Sequence, residues 1–578
     1  MNHFSKIALV IGVFITSLVW SQNLLPKGLT QSEQINLGRV SFTQNKVTDP
    51  PTEPVRTMAE WEEVEYLVIT WEPNFQNILR QIVAVAVNEC KVIITTQNQS
   101  SVSNYLSGAG IDLSQVIFMN DNWDSIWIRD YAGNTVYSND VGERAITDWI
   151  YNRPRPNDDV MPSAHASLLN LPIYITNTGT NDLVNTGGNF MSDGLGTAFA
   201  SDLILDENAP GNPYGVSAKT EAEIDAIMNA YMGIDRYIKM PTLPYDVIHH
   251  IDMHMKLLDE ETLLVSEYPP GVADGPQIEA NIQEVVANYP SVFGTPYKVE
   301  WIPAPPSSSG LYPDNGGYYR TFTNAVFINK TVIVPTYRPE VDEPALARWQ
   351  ELLPGYNIVG IDVDNSGENL ISLLGAIHCI THTIGVDEPL WIVHQPVDEA
   401  AQAATVTIDA RIEHSSGIQE AIVYSREASG DFVATPMTFI GNEAWSADLT
   451  MPNMAGQVDY YIQATANSGK TLARPLVAPD GYWTINVGNL SVEDLTSMHF
   501  ISAAVPNPTT GSVEFRLNQI HESVKVSIYN VLGQELYRGM IPQGHGNYRL
   551  ELNSTWQGVL WVQFEGSFGR VQRQILKL

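Results

Sequence analysis

"NILRQIVAVAVNECKVIITTQ", residues 77–97, joins two periodicities without a break. Up to Glu89 its apolar side chains recur at the three-to-four spacing that lines one face of a helix. From Lys91 the short β-branched run "KVIITTQ" reads as a strand. A helix feeding directly into a strand is the unit from which α/β domains are built. Outward from this point the alternation continues between about Glu60 and Pro396. "PQIEANIQEVVANY" (276–289) and "PALARWQELLPG" (344–355) read as further helices, and the strand-like "YNIVGIDV" (356–363) follows the second. No repeat stands out by identity, so an internal symmetry is not visible at this level.

Beyond Pro396 the texture changes. Short alternating segments, "ATVTIDARIEH" (404–414), "QEAIVYSRE" (419–427) and "VDYYIQATAN" (458–467), are separated by turn residues and contain no helical run. This pattern predicts a small immunoglobulin-like β-sandwich ending near Asn486. The polar stretch "NVGNLSVEDLTSMHF" (486–500) leads to a last β-rich module with "AVPNPTTGSVEFRL" (504–517), "VSIYNVLGQELYRG" (526–539) and the basic finish "GRVQRQILKL" (569–578).

The chain of 578 residues, 44% hydrophobic and 9% aromatic, is long enough for several folded domains. It carries 65 acidic against 31 basic residues, a formal charge of −34. A nucleic-acid partner or an anionic membrane surface is therefore disfavoured, and a cationic ligand favoured. At the start, Lys6, the apolar run Ile7 to Val19 and the small Ser21 have the layout of a cleaved signal peptide, and the run is short for a bilayer span. Export makes the cysteine count informative, because oxidising compartments favour pairing. There are only two, Cys90 and Cys379. Cys90, between the helix-like and strand-like runs, suits a small buried core residue, which leaves Cys379 unpaired.

Five stretches of the α/β region gather reactive groups: "DNWDSIWIRDY" (121–131), "YNRPRPNDD" (151–159), "VIHHIDMHMK" (247–256), "TFTNAVFINK" (321–330) and "LLGAIHCITHTIG" (373–385). A metal site is one way to combine them, since His250 and His254 have the spacing that pairs imidazoles on a helix, with Cys379 and His382 as further ligands. The glutamate of H-E-x-x-H is missing, however, and "MKLLDEETLLVSEY" beyond reads as a hairpin. On a strand, His250, Asp252 and His254 would share one face. The other combination is covalent catalysis by a cysteine, with a histidine to move protons and carboxylates to hold a cation. A guanidinium is a planar cation that two aspartates, Asp130 and Asp252, can grip by paired charge-assisted hydrogen bonds over a thiolate.

"AEWEEVEYLVITW", "DSIWIRDY", "HIDMHMK", "TNAVFINK" and "GAIHC", in this order over roughly residues 55–395, resemble the guanidine-modifying superfamily, in its bacterial peptidylarginine deiminase and agmatine deiminase branch. The resemblance implies a five-bladed, pseudo-symmetric α/β propeller. Position by position it implies a nucleophile at Cys379, a general acid/base at His250, guanidinium-binding carboxylates at Asp130 and Asp252, an active-site asparagine at Asn324, and an aromatic along the substrate arm at Trp127. The implied reaction is thiolate attack on the guanidinium carbon, loss of ammonia protonated by His250, and hydrolysis of the covalent thiouronium to a ureido group, with no cofactor or metal. The substrate's charge and a protonated His250 would favour the thiolate. His378 and His382 are expected to be structural or supporting. "TGGNFMSDGLGT" (186–197) is read as scaffolding around the site.

The last module resembles the C-terminal sorting domain of type IX secretion substrates, which implies the type IX machinery as a partner and a secreted or outer-membrane cell-surface location. An external enzyme suits a peptide or protein substrate better than agmatine. Arg153 and Arg155, one proline apart on a stiffened segment, could converge on a carboxylate, and the stretch resembles one that binds the C-terminal carboxylate in secreted peptidylarginine deiminases. The expected protein is thus a peptidylarginine deiminase preferring C-terminal arginine. Its alternatives are a hydrolase of a small guanidine compound resembling agmatine deiminase, and an inactive surface binding protein. The expected layout is a signal peptide (1–21), an N-terminal segment that could be a propeptide (22–54), a catalytic domain (55–395), a β-sandwich (396–488), a linker (489–500) and a sorting domain (501–578). The oligomeric state is left open.

Overall fold

The computed structural model describes residues 24–37, 48–176, 179–427, 430–488, 509–516, 523–530, 534–542, 547–566 and 569–577. The expected signal peptide and linker lie outside these residues. The chain divides into two compact units, 1–389 and 390–578.

In the first unit the helix Gln76–Ala86 buries Ile78, Leu79, Ile82, Val83 and Ala86, one face of the period read from the sequence. Each such large apolar side chain contributes roughly 1.5–3 kcal/mol when fully buried, as an upper estimate. Its first turn is capped from far along the chain: the Glu368 carboxylate accepts from the backbone N–H groups of Asn77 and Ile78, both at 2.8 Å. The helix crosses between the parallel strands Val64–Thr70 and Lys91–Thr95, paired from Tyr66 with Lys91 to Thr70 with Thr95.

Four other sheets repeat this plan. In each, an antiparallel pair is followed by a helix-bearing crossover to a parallel strand. Asn134–Ser138 and Arg144–Tyr151 lead to Ile173–Thr176. Met191–Ser192 and Thr197–Ser201 lead to Arg236–Met240. Met255–Leu257 and Thr262–Glu267 lead to Lys298–Pro303, and Val326–Ile328 and Thr331–Thr336 to Asn357–Asp362. The first sheet takes its antiparallel member from the end of the unit: His382–Gly385 pairs with Val64–Thr70. That pairing draws the turn carrying Cys379 back to the start of the unit. Cys90 is buried and unpaired, as its sequence setting suggested, and burial pushes its thiol up to about 12.

In the second unit one sheet orders Trp391–Val393, Thr405–Glu413, Ala444–Thr450 and Thr438–Gly441. Another orders Glu399–Ala401, Trp483–Gly488, Gly456–Ala466, Ile418–Glu427 and Val433–Pro436. Ile408, Ile412, Val423, Tyr460, Ile462 and Ile485 from these strands form one buried cluster, the product of alternating inward residues. Downstream, a two-stranded sheet and a four-stranded sheet of residues 512–577 share a separate core around Phe515, Val526, Ile528 and Phe564. Among the described residues no helix is long and apolar enough to cross a membrane.

Candidate active site

Cys379 sits in the 3-10 turn His378–Ile380, with its side chain fully buried. Asn324 fixes that turn. Its side-chain and backbone oxygens both accept from the His378 N–H, at 3.0 and 3.1 Å, while its Nδ2 donates to Cys379 Sγ at 3.2 Å and to the Asp252 carbonyl at 3.2 Å. One amide thus ties together three chain segments and aims an N–H at the sulfur. The thiol lies 3.5 Å from Asp252 Oδ2. Burial, joined by the Asp252 charge, pushes it up to about 12. The Lys27 ammonium pulls the other way, toward the thiolate.

Residues 250–254 do not form a strand. His250 and His254 cap a 3-10 turn, Ile251–Met253, and the strand begins only at Met255. The period-two argument fails there because a turn rotates successive side chains, and the three groups separate. His250 faces Asp130, with Nδ1 at 3.4 Å from Oδ1, and neither ring nitrogen has a well-formed hydrogen bond. Burial and the nearby Lys27 ammonium lower its pKa, against the pull of Asp130. Asp252 turns instead toward His378, whose Nδ1 lies 2.9 Å from Oδ2 and whose Nε2 lies 2.7 Å from Glu60 Oε1. His254, buried, has its pKa lowered to about 4 by burial. Among the described residues no three His, Cys, Asp or Glu side chains are grouped to hold a metal ion.

Behind the cysteine, Lys256, Arg129 and His378 gather on the Glu60 carboxylate, and His378 links it to Asp252; burial lowers the His378 pKa. Burial opposes ionisation of Glu60, yet His378, Lys256 and Arg129 hold its carboxyl well below the usual range. Asp252 is likewise held below its usual range, with Lys27 and the His378 hydrogen bond outweighing burial. Asp130 is also lowered, by Lys27 and His250 against burial. Both aspartates therefore stand ionised beside the sulfur. His382 Nε2 donates to the Gly133 carbonyl at 3.0 Å, a structural contact.

Of the glycines of residues 186–197, Gly187 and Gly188 lie against this cluster. A Cβ on Gly188 would fall 2.4 Å from His250 Nδ1, 2.8 Å from Asp130 Oδ1 and 3.0 Å from Lys27 Nζ. Gly375 meets Trp127 in the same way, its Cβ position being 2.4 Å from the indole Cζ3. Trp127, fully buried, donates from Nε1 to the Leu25 carbonyl at 3.0 Å.

A feature that the sequence did not reveal fills the centre. Lys27 is fully buried, with Nζ at 2.9 Å from Cys379 Sγ, 3.4 Å from Asp252 Oδ1 and 3.7 Å from Asp130 Oδ1. Burial disfavours its charge, but Asp130, Asp252 and Cys379 more than restore it, and its pKa is raised. Arg153 Nε donates to the Lys27 carbonyl at 3.0 Å. Arg155 Nη2 donates to the carbonyls of Pro26 at 2.7 Å and Gly28 at 3.2 Å, and its Nε to Glu33 Oε1 at 2.8 Å. The two arginines do converge on one segment, although they lie in a bend before the short helix Pro156–Asp159 rather than on an extended run. Asp158 is occupied by the N–H groups of Asp124 and Ser125 and by the Ser125 hydroxyl. Neither Lys27 nor Glu60 announced itself, because their partners at the site are hundreds of residues away along the chain.

A buried cysteine with an asparagine, two aspartates and a histidine around it, and a cation held over the sulfur, makes this the candidate site of a mixed α/β fold. Residues 56–384 match the family model of the Porphyromonas-type peptidyl-arginine deiminases, and residues 504–577 that of the secretion system C-terminal sorting domain. The chain belongs to the Porphyromonas-type peptidyl-arginine deiminase family and carries a type IX sorting domain, which indicates secretion and cell-surface attachment. It is similar to the agmatine deiminase of Pseudomonas syringae pv. tomato, at 24% identity over 47% of this chain and 78% of that protein. The agmatine deiminase of Pseudomonas fluorescens is likewise 24% identical, over 47% of this chain and 78% of its own length. A solved structure provisionally named an agmatine deiminase shares the fold with a TM-score of 0.51, at 18% identity over 59% of this chain and all of that one.

Proposed function

We propose that this protein is an exported peptidylarginine deiminase that converts peptide arginine to citrulline through a covalent adduct on Cys379. The observation that carries the reading is the set of carbonyl contacts around the site: Trp127, Arg153 and Arg155 hold the backbone oxygens of Leu25, Pro26, Lys27 and Gly28. Agmatine has no carbonyl for them, whereas a peptide does. The curated relatives named agmatine deiminases favour the second reading, a small guanidine substrate.

Asp130 and Asp252 bind the guanidinium nitrogens and hold the carbon over Sγ. Neutral His250 takes the thiol proton as sulfur bonds to carbon. The resulting imidazolium then protonates the departing nitrogen as the C–N bond breaks and ammonia leaves. Neutral again, His250 deprotonates the water that attacks the thiouronium carbon, the C–S bond breaks to give a urea and the thiol, and the proton left on His250 passes to the released ammonia as ammonium. Asn324 donates to the sulfur throughout, and His378 with Glu60 positions Asp252.

The five like sheets, with the first completed by the last strand, support a closed five-bladed α/β propeller for residues 55–395. The shared core of the next two sheets supports an immunoglobulin-like sandwich for residues 396–488, followed by a linker and the sorting module 501–578. Residues 1–21 are proposed as the signal peptide. An arginine at a peptide's C-terminus, placed where Lys27 is, would bring its carboxylate to Arg153, with Arg155 on the preceding carbonyl, which supports a preference for C-terminal arginine. The test is ureido-group formation from matched peptides with C-terminal or internal arginine, free arginine and agmatine, with Cys379→Ala as control. Cysteine-dependent turnover of peptides supports the proposal, and turnover of agmatine alone refutes its substrate.

A further inference from the structure

Residues Leu25–Asn36 run through the site as a peptide would. The Lys27 N–H donates to the Leu373 carbonyl at 2.9 Å, and the carbonyls of Leu25, Pro26, Lys27 and Gly28 are all taken by Trp127, Arg153 and Arg155. Beyond them Thr30 and Glu33 form a reciprocal cap on the helix Gln31–Asn36, and Glu33 pairs with Arg155. The segment is thus anchored at both ends of the stretch that carries Lys27.

The identity of the buried side chain matters. Counted along the side chain, lysine Nζ and arginine Cζ are both the fifth atom from Cα, so Nζ stands where the reacting guanidinium carbon of an arginine would stand. It is 2.9 Å from Cys379 Sγ, slightly shorter than the roughly 3–3.5 Å of near-attack geometry, with carboxylates on two sides. Lysine offers a tetrahedral ammonium there, with no electrophilic carbon and no leaving amine. It can satisfy the aspartates but cannot react.

We propose that Leu25–Asn36 is a tethered pseudosubstrate, with Lys27 in the guanidinium site, and that the chain stays latent until this segment is displaced or removed. The inference rests on the deiminase reading of the same site. A tethered ligand acts at an effective concentration on the order of millimolar, so free peptide substrate competes poorly while it is in place. The backbone continues past Lys27 into Gly28, so the groove also admits an internal residue.

Two kinds of substitution in the full chain test this. Lys27→Ala removes the cation, and Glu33→Ala loosens the anchor without altering a residue of the site. Both are expected to raise kcat/KM on an arginine peptide, Lys27→Ala by roughly tenfold or more. Lys27→Arg installs a guanidinium carbon where Nζ now lies. Residue 27 is then expected to become citrulline, with water consumed and ammonia released, at a rate independent of protein concentration and abolished by adding Cys379→Ala. Peptide mass spectrometry of residue 27 reads this directly. If the parent and Lys27→Ala turn over peptide equally and residue 27 stays arginine in the Lys27→Arg chain, the pseudosubstrate is refuted while the deiminase reading stands. If no variant turns over any guanidine compound, the deiminase reading falls and takes the inference with it.

Discussion

Gly188→Ala is expected to cripple the site while leaving the fold intact. The new Cβ would lie 2.4 Å from His250 Nδ1 and 2.8 Å from Asp130 Oδ1, against the 3.4 Å or more of ordinary contacts. His250 and Asp130 are fully buried, so neither can move aside into solvent, and the displacement needed is about 1 Å. Misplacement on that scale reduces rate by about a hundredfold, equivalent to about 2.7 kcal/mol in the barrier. The overpacking itself destabilises the protein by about 1–3 kcal/mol, and no left-handed backbone angle adds to it, since Gly188 has an ordinary negative-φ conformation in its 3-10 turn. The assay is kcat/KM for ureido formation relative to the parent, both carrying Lys27→Ala, with thermal unfolding to confirm folding. A folded variant within twofold of its parent would refute the close approach of Gly188 to His250 and Asp130.

Asn324→Ala should lower kcat by about 10²–10³, because it removes an N–H aimed at the sulfur as well as the anchor of the His378 turn; steady-state kinetics on a folded variant would show it. Gly375→Ala drives a Cβ into the Trp127 ring and should raise KM for peptides more than it changes kcat. Asp158 is pushed up to about 7, mainly by burial. Between about pH 4 and 7 the folded chain therefore binds a proton that the unfolded chain does not, so this group makes stability fall as pH rises through that window. Asp158→Asn should flatten that part of the profile, by an amount on the order of a few kcal/mol, as read by denaturant unfolding at each pH. Asp252 works in the opposite sense. Held below its usual range, it contributes stability above the ordinary carboxylate pKa that is lost on acidification.

The sequence carried the parts of this structure that depend on local pattern. The helix Gln76–Ala86 and the strand Lys91–Thr95 follow from periodicity, and so does the hairpin from Met255 to Glu267. Cys379, His250, Asp130, Asp252 and Asn324 were legible as a set only through resemblance to a family, and the structure does bring them together around one sulfur. The failure at residues 250–254 is instructive. Three alternating polar residues before a strand look like its continuation, but a 3-10 turn held by distant partners decides where each points, sending His250 to Asp130 and Asp252 to His378. Glu60 meets His378 across a separation of 318 residues and Lys27 meets Cys379 across 352. No local signal encodes such contacts, and a lone lysine near an N-terminus resembles any solvated charge.

The central claim is that Cys379 is the nucleophile, and the most direct measurement is acid quenching of the Lys27→Ala chain during turnover of an arginine peptide, followed by mass analysis of the peptide containing residue 379. The account predicts a thiouronium adduct on Cys379 that decays with the rate of citrulline formation. Steady turnover with an unmodified Cys379, undiminished in Cys379→Ala, would contradict it.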